Sequence, residues 1–176
     1  SYYYFHSNEL IDERIKFHYY PNTINAITIY KNSNVSFFEN YNSVTKPNKN
    51  KKYIKLYTGL KRVVSAAEIY TPFDKIAIAF EPLGLNSFIK NTIKDIISKE
   101  DNFIFSEFDP EIDIILDKVY FENDYDRKVE ILDDFFALDI ITQHHLGEKI
   151  TRKTPDIECY GAYVMDKNSG DVHTIL

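Results

Sequence analysis

Lys75-Ile-Ala-Ile-Ala-Phe-Glu-Pro-Leu-Gly-Leu85 joins two kinds of chain. Its first six residues form a short apolar run of strand character. Pro82 has no amide hydrogen, so it cannot extend a central ladder, and it biases Glu81 away from helical geometry. Gly84 can take the backbone angles of a reversal, positive φ included. Beyond it, Leu85, Phe88 and Ile89 share one face of a short helix. The segment therefore divides a β-rich first half from a helical second half, and Phe80 is expected to point into the core.

Upstream, the period is that of strands. In Arg14-Ile-Lys-Phe-His-Tyr-Tyr20, residues Ile15, Phe17 and Tyr19 alternate with Arg14, Lys16 and His18, the pattern of a half-buried strand. Pro21-Asn22 ends it. Ala26 to Tyr30 and Val35 to Phe38 follow, separated by Asn32-Ser-Asn34. Asn42 to Lys52 holds Pro47, three Asn and four Lys and reads as a solvated loop. Strand character returns at Tyr53 to Leu60 and near Val63 to Tyr70. Short strands at this spacing indicate a sandwich or small barrel rather than βαβ units.

Downstream, Thr92 has the character of an N-cap, with Asp95 at the third helical position. Asp109-Pro110 is a stronger start, followed by Ile112, Ile115, Leu116 and Val119 on one face. Asn123 or Asp124 opens the longest helix, which runs to about His144. Its inner stripe is Tyr125, Val129, Leu132, Phe136 and Ile140, widened by Ile131, Phe135 and Leu138. Gly147 is expected to end it, with Glu148 to Lys153 as a linker. Thr154-Pro155 is read as capping a further helix through Met165, and Asp171 to Leu176 as the start of another.

Charge and composition narrow the function classes. The chain of 176 residues has a formal charge of −6 and 44% hydrophobic residues, fourteen Tyr and thirteen Phe among them. An acidic chain is poorly suited to contact DNA by itself, because duplex binding needs several cations facing phosphates. The single cysteine, Cys159, excludes an internal disulfide and fits the cytoplasm. No run approaches the ~18 apolar residues of a membrane span, and Ser1-Tyr-Tyr-Tyr-Phe5 lacks the pattern of a signal peptide.

Catalytic patterns are absent from the sequence. The five histidines are His6, His18, His144, His145 and His173. None has the spacing with which a cupin enzyme gathers a metal, and His144 and His145 diverge on a helix. Cys159 has no CxxC partner, and Leu83-Gly84-Leu85 lacks the further glycines of a phosphate loop. Asp133-Asp134 and Asp109/Glu111 fall on helix surfaces or caps. These residues indicate no enzyme, no metal and no cofactor, and favour a binding or interaction module.

The stretch Ile76 to Leu85 resembles an element of AraC-type bacterial transcription regulators, in which a strand of the form (I/V)xFxPxG ends the sensing domain and turns into a short helix. Phe80, Pro82 and Gly84 match it; Glu81 stands where a basic residue is common, and Leu83 where a Gly is common. His18-Tyr-Tyr-Pro-Asn22 with the strand after it, and Tyr57-Thr-Gly-Leu60, are similar to earlier segments of that family. Asp126 to Phe135 resembles its eeRvxxLexFL helix at Arg127, Val129, Leu132 and Phe135. Tyr163 to Leu176 looks like the lead-in to the family's helix-turn-helix domain.

The resemblance implies an α+β fold: a cupin-like or jelly-roll antiparallel β-barrel over residues 1–82, a helical dimerisation half over 83–147, and over 148–176 a linker leading to a DNA-binding domain outside these residues. It implies a cytoplasmic, homodimeric, effector-sensing module that reaches DNA only through that other domain and does not touch membranes. The candidate effector-binding residues are His18, Tyr20, Tyr30, Tyr57 and Arg62, against the plainer reading that such aromatics merely fill a barrel. Ile131, Phe135 and Leu138 are the candidate dimer contacts. The alternatives are a stand-alone cupin-like binding protein or enzyme, and an interaction module with a solid core.

Overall fold

The computed structural model describes residues 2–20, 24–39, 42–58, 64–81, 84–89, 104–106, 108, 111–144, 162–165 and 172–175. Within them the strands are β1 (Tyr2–Asn8), β2 (Arg14–Tyr19), β3 (Asn25–Lys31), β4 (Ser33–Phe37), β5 (Ser43–Pro47), β6 (Tyr53–Thr58), β7 (Ser65–Tyr70) and β8 (Phe73–Phe80). A 3-10 turn at Gly84–Phe88 precedes helices α1 (Ile112–Phe121) and α2 (Tyr125–His144). Strands β9 (Ala162–Met165) and β10 (Val172–Ile175) come last.

The fold is α+β and mostly sheet. One sheet has six strands in the order β10-β9-β1-β8-β3-β6, and the other has four in the order β2-β7-β5-β4. The expectation of a closed barrel is corrected: no ladder joins the edge strands β6 and β4 among the described residues. The chain passes from one sheet to the other at Asn32, whose φ of 49° is a left-handed geometry that Asn tolerates.

The six-stranded sheet is the middle layer, covered on both faces. Period-two alternation sends Tyr3, Phe5, Ile27, Ile29, Ile76, Ile78 and Phe80 to the helical side, where they join Ile112, Leu116, Val119, Leu132 and Phe136. The opposite face sends Tyr30, Ile54, Leu56 and Phe73 toward Val35 and Ile69 of the four-stranded sheet. Burial on both faces explains why β3 and β8 read as nearly continuous apolar runs.

Polar contacts fix the helices on the sheet. Tyr3 donates to Asp133 Oδ1 at 2.5 Å, Tyr120 donates to the Ile29 carbonyl at 3.1 Å, and Lys55 Nζ lies 2.6 Å from Asp113 Oδ1. Asp124 caps α2 as expected, its Oδ1 accepting from the Arg127 amide at 3.0 Å. Phe80 is buried, as expected, against Phe88 and Phe136 at ring distances of 5.6 and 5.8 Å. Gly84 does not use the positive φ open to it, and its amide donates to the Glu81 carbonyl at 2.8 Å.

Three further expectations are corrected, and one strand, β1, was not anticipated. β1 carries aromatic residues on both faces because it is an inner strand between β8 and β9, so it lacks alternation. The supposed loop at Asn42 to Lys52 contains β5, which runs parallel to β7 with Thr45 buried; its lysines hid a short inward pattern. The helices expected through Met165 and from Asp171 are replaced, over the described residues, by strands β9 and β10, paired from Val172↔Met165 to Ile175↔Ala162. Ala-Tyr-Val-Met and Val-His-Thr-Ile are short β-prone runs around a segment containing Asn168-Ser-Gly170, a hairpin signal. The Thr92 helix, the Asp109-Pro110 start, Gly147, the linker and Cys159 lie outside the described residues.

Candidate ligand site between the sheets

Three residues form one row across the middle sheet. Lys75 of β8 pairs with His6 of β1 on one side and Tyr30 of β3 on the other, and all three turn toward the four-stranded sheet. The next row is Tyr4, Ala77 and Thr28, and the one beyond it Tyr2, Ala79 and Ala26. From the facing sheet come Phe17 and Tyr19 of β2, and Ser65 and Ala67 of β7, with Phe17 opposite Ala67 and Tyr19 opposite Ser65.

Lys75 is 4% exposed. Its ammonium lies 4.8 Å from the Phe17 ring centre and 5.5 Å from that of Tyr4. Among the described residues no carboxylate forms an ion pair with it; Asp74 lies on the opposite face, and Glu68 points outward to Arg14. Burial lowers its pKa to about 8. Cation–ring attraction offsets only part of the desolvation of such a charge.

His6 stands beside it, boxed by the rings of Phe73 (4.8 Å), Phe17 (5.8 Å) and Tyr4 (5.8 Å). Its Nδ1 is buried without a hydrogen-bond partner. Burial first, and then the Lys75 charge, hold its pKa down at about 4, so the ring is neutral at pH 7. Three phenols complete the wall. Burial raises the pKa of Tyr4, Tyr19 and Tyr30; Tyr19 and Tyr4 push Tyr30 further, while its hydrogen bond with Thr45 opposes the rise. The cluster is one buried cation among neutral ring, phenol and hydroxyl groups.

Side-chain size differs along this interior. Around Ile15, Phe17, Val35, Ile54, Leu56, Ile69 and Phe73 large side chains fill the space. Toward Ala26, Thr28, Ala77 and Ala79 the side chains are small, and Ala26, Thr28 and Ala77 keep partial solvent exposure although they lie on inner strands facing a second sheet. These short side chains lie beside Tyr2 and Tyr4 in the same rows and face Tyr19 and Ser65 of the other sheet. The arrangement can therefore hold a small molecule with its polar end at Lys75, His6 and the phenols.

The expected site residues separate. Tyr30 belongs to the cluster. His18 and Tyr20 do not: His18 is on the outer face of β2 and Tyr20 is 68% exposed, with Tyr19 turned inward instead. Tyr57 is buried on the helical face, donating to Asn25 Oδ1 at 2.8 Å, and Arg62 lies outside the described residues. Ile131 and Phe135 are half-buried against the helical core; the Leu138 side chain is not described. His6, Lys75, Tyr4 and Tyr19 were missed. The signal available was Lys75, a charge opening an otherwise apolar run.

Among the described residues no three His, Cys, Asp or Glu side chains gather as a metal-ligand set, and no helix is long and apolar enough to cross a membrane. The chain matches no protein-family model, no curated protein and no solved structure.

Proposed function

We propose that this chain is a small-molecule-sensing module, the effector-binding and dimerisation part of an AraC-type transcription regulator. The observation that carries the sensing reading is the solvent-touched floor of small residues, Ala26, Thr28 and Ala77, beside a buried polar cluster. Sites for small ligands are concave, mostly apolar and furnished with a few placed polar groups. The resemblance supplies the family: the Phe80-Glu-Pro-Leu-Gly84 switch from strand to helix, and Arg127, Val129, Leu132 and Phe135 on α2. In this reading the two sheets are a jelly-roll or cupin-like sandwich. Homodimer contacts fall on α2 near Ile131, Phe135 and Leu138. DNA is gripped in the cytoplasm by a separate helix-turn-helix domain.

The mechanism follows from the middle layer. The strands whose inner faces carry His6, Tyr30 and Lys75 hold the helices with their outer faces, through Tyr3–Asp133 and Ile29–Tyr120. A ligand that prefers one curvature of this sheet shifts the helices with it, and thereby the population able to dimerise productively.

The test is thermal unfolding of the chain against a panel of neutral, cationic and anionic metabolites. A specific ligand at a hundred times its Kd adds about 2.7 kcal/mol of stability, a shift of several degrees. Ala77→Phe, which fills the floor, should abolish that shift while retaining a cooperative melt. A panel without any stabilising compound, or equal stabilisation of Ala77→Phe, contradicts the reading.

A further inference from the structure

We infer that the ligand bound between the sheets is a small monocarboxylate with a flat apolar body, its carboxylate on Lys75 and His6 and its body over Ala77, Thr28 and Ala79. The inference rests on the sensing reading and specifies the ligand class. Lys75 is the one cationic side chain that the described strands turn into this space; Lys16 and Arg14 are outward on β2, and Lys31 and Lys55 lie on the helical face. No described carboxylate is turned into it. Among the described residues the space thus holds a single unpaired positive charge, and a buried charge is stable when paired and hydrogen-bonded.

A monoanion neutralises that charge; a phosphate dianion leaves a surplus charge in a desolvated place with no guanidinium fork or glycine loop to meet it. His6 adds a site for a second hydrogen bond. Its unpartnered Nδ1 donates to a carboxylate oxygen in the appropriate tautomer, and the tautomer is free to adjust because that nitrogen has no other partner. The phenols of Tyr4, Tyr19 and Tyr30 remain protonated, so no second anion opposes the ligand. The walls are rings: Tyr4 and His6 on one sheet, Phe17 and Tyr19 on the other. Rings prefer offset or edge-on partners, and two sheets ~10 Å apart suit a flat body better than a globular one.

Calorimetric titration of the 176-residue chain with benzoate, phenylacetate and octanoate, each beside its own amide, tests this. At least one aromatic carboxylate should bind ten or more times tighter than its amide and tighter than octanoate. Its affinity should fall as the pH rises through 8 to 9, where Lys75 loses its proton, while amide binding stays level. Among the described residues the other titratable groups facing Lys75 are Tyr4, His6, Tyr19 and Tyr30, and none titrates in that window. Lys75→Met should lose at least tenfold in carboxylate affinity and nothing in amide affinity. Equal binding of acid and amide, or an unchanged affinity in Lys75→Met, overturns the ligand class. Inorganic phosphate competing as well as the aromatic acid overturns the apolar body. If a neutral panel compound stabilises the chain while no carboxylate binds, the sensing reading stands and this inference fails; if nothing binds, both fail. Should Lys75→Met not fold, the acid-to-amide ratio of the parent chain and its pH profile decide.

Discussion

Lys75 and His6 are both held away from their ordinary protonation behaviour by burial, and each leaves a measurable trace in stability. A lysine whose pKa falls from 10.5 to about 8 on folding binds its proton more tightly in the unfolded chain. Its contribution is therefore unfavourable below pH 8 and is relieved as the pH rises from 8 to 10.5. Lys75→Met should raise the stability at pH 7 by on the order of 3 kcal/mol, and the gap to the parent should close above pH 10. Urea titrations at pH 7 and pH 10.5 read both numbers; a destabilised Lys75→Met at pH 7 would mean that the ammonium has a partner. For His6 the folded pKa of about 4 lies below 6.5, so stability is full above pH 6.5 and declines as the pH falls from 6.5 to 4. His6→Phe keeps the ring contacts and should remove about 1–3 kcal/mol of that acid sensitivity, measured as the difference in urea midpoints between pH 7 and 4.5. At this scale the sequence singled out Tyr30 and none of its neighbours in the cluster. His18 and Tyr20 flank Tyr19, and in a strand one residue exchanges the faces, so Tyr19 is the one turned inward.

Among the elements, the end of β8 at Phe80 and the helical turn from Gly84 were readable, because the sequence changes from an apolar run to turn-forming residues there. Phe80→Ala should destabilise by about 3–5 kcal/mol, since the ring is buried among Phe88 and Phe136. Gly84→Ala should be neutral, or stabilising by up to about 1 kcal/mol. Its added methyl meets Phe80 Cβ at 3.6 Å, an ordinary contact, on a backbone without positive φ. Equilibrium unfolding of the two variants measures this contrast, and a destabilised Gly84→Ala would put the residue back among strained turn positions. β1, β5, β9 and β10 were not legible as strands. An inner strand with aromatic side chains on both faces has no alternation to read, and the short runs in the other three gain their strand character from pairing with β1, β7 and each other. The capped helix α2, by contrast, was legible in both start and length, because its cap and its four-residue spacing are properties of the local sequence.

For the molecule as a whole, the α+β class was readable from the change of period at Pro82, while the division into two sheets was not. A set of alternating strands is compatible with either a closed barrel or two facing sheets, and the choice depends on which edges meet. That choice places the Lys75, His6 and tyrosine cluster on one face of the middle sheet and the helices on the other, so one layer touches both. In the proposed function, ligand binding between the sheets is felt by the helices. Amide hydrogen exchange of the 176-residue chain, with and without the panel compound that stabilises it most, tests that claim directly. Slower exchange is expected in β1, β3 and β8 together with slower exchange in α1 around Tyr120 and in α2 around Asp133. Protection limited to the sheets, with the helices unchanged, would contradict it.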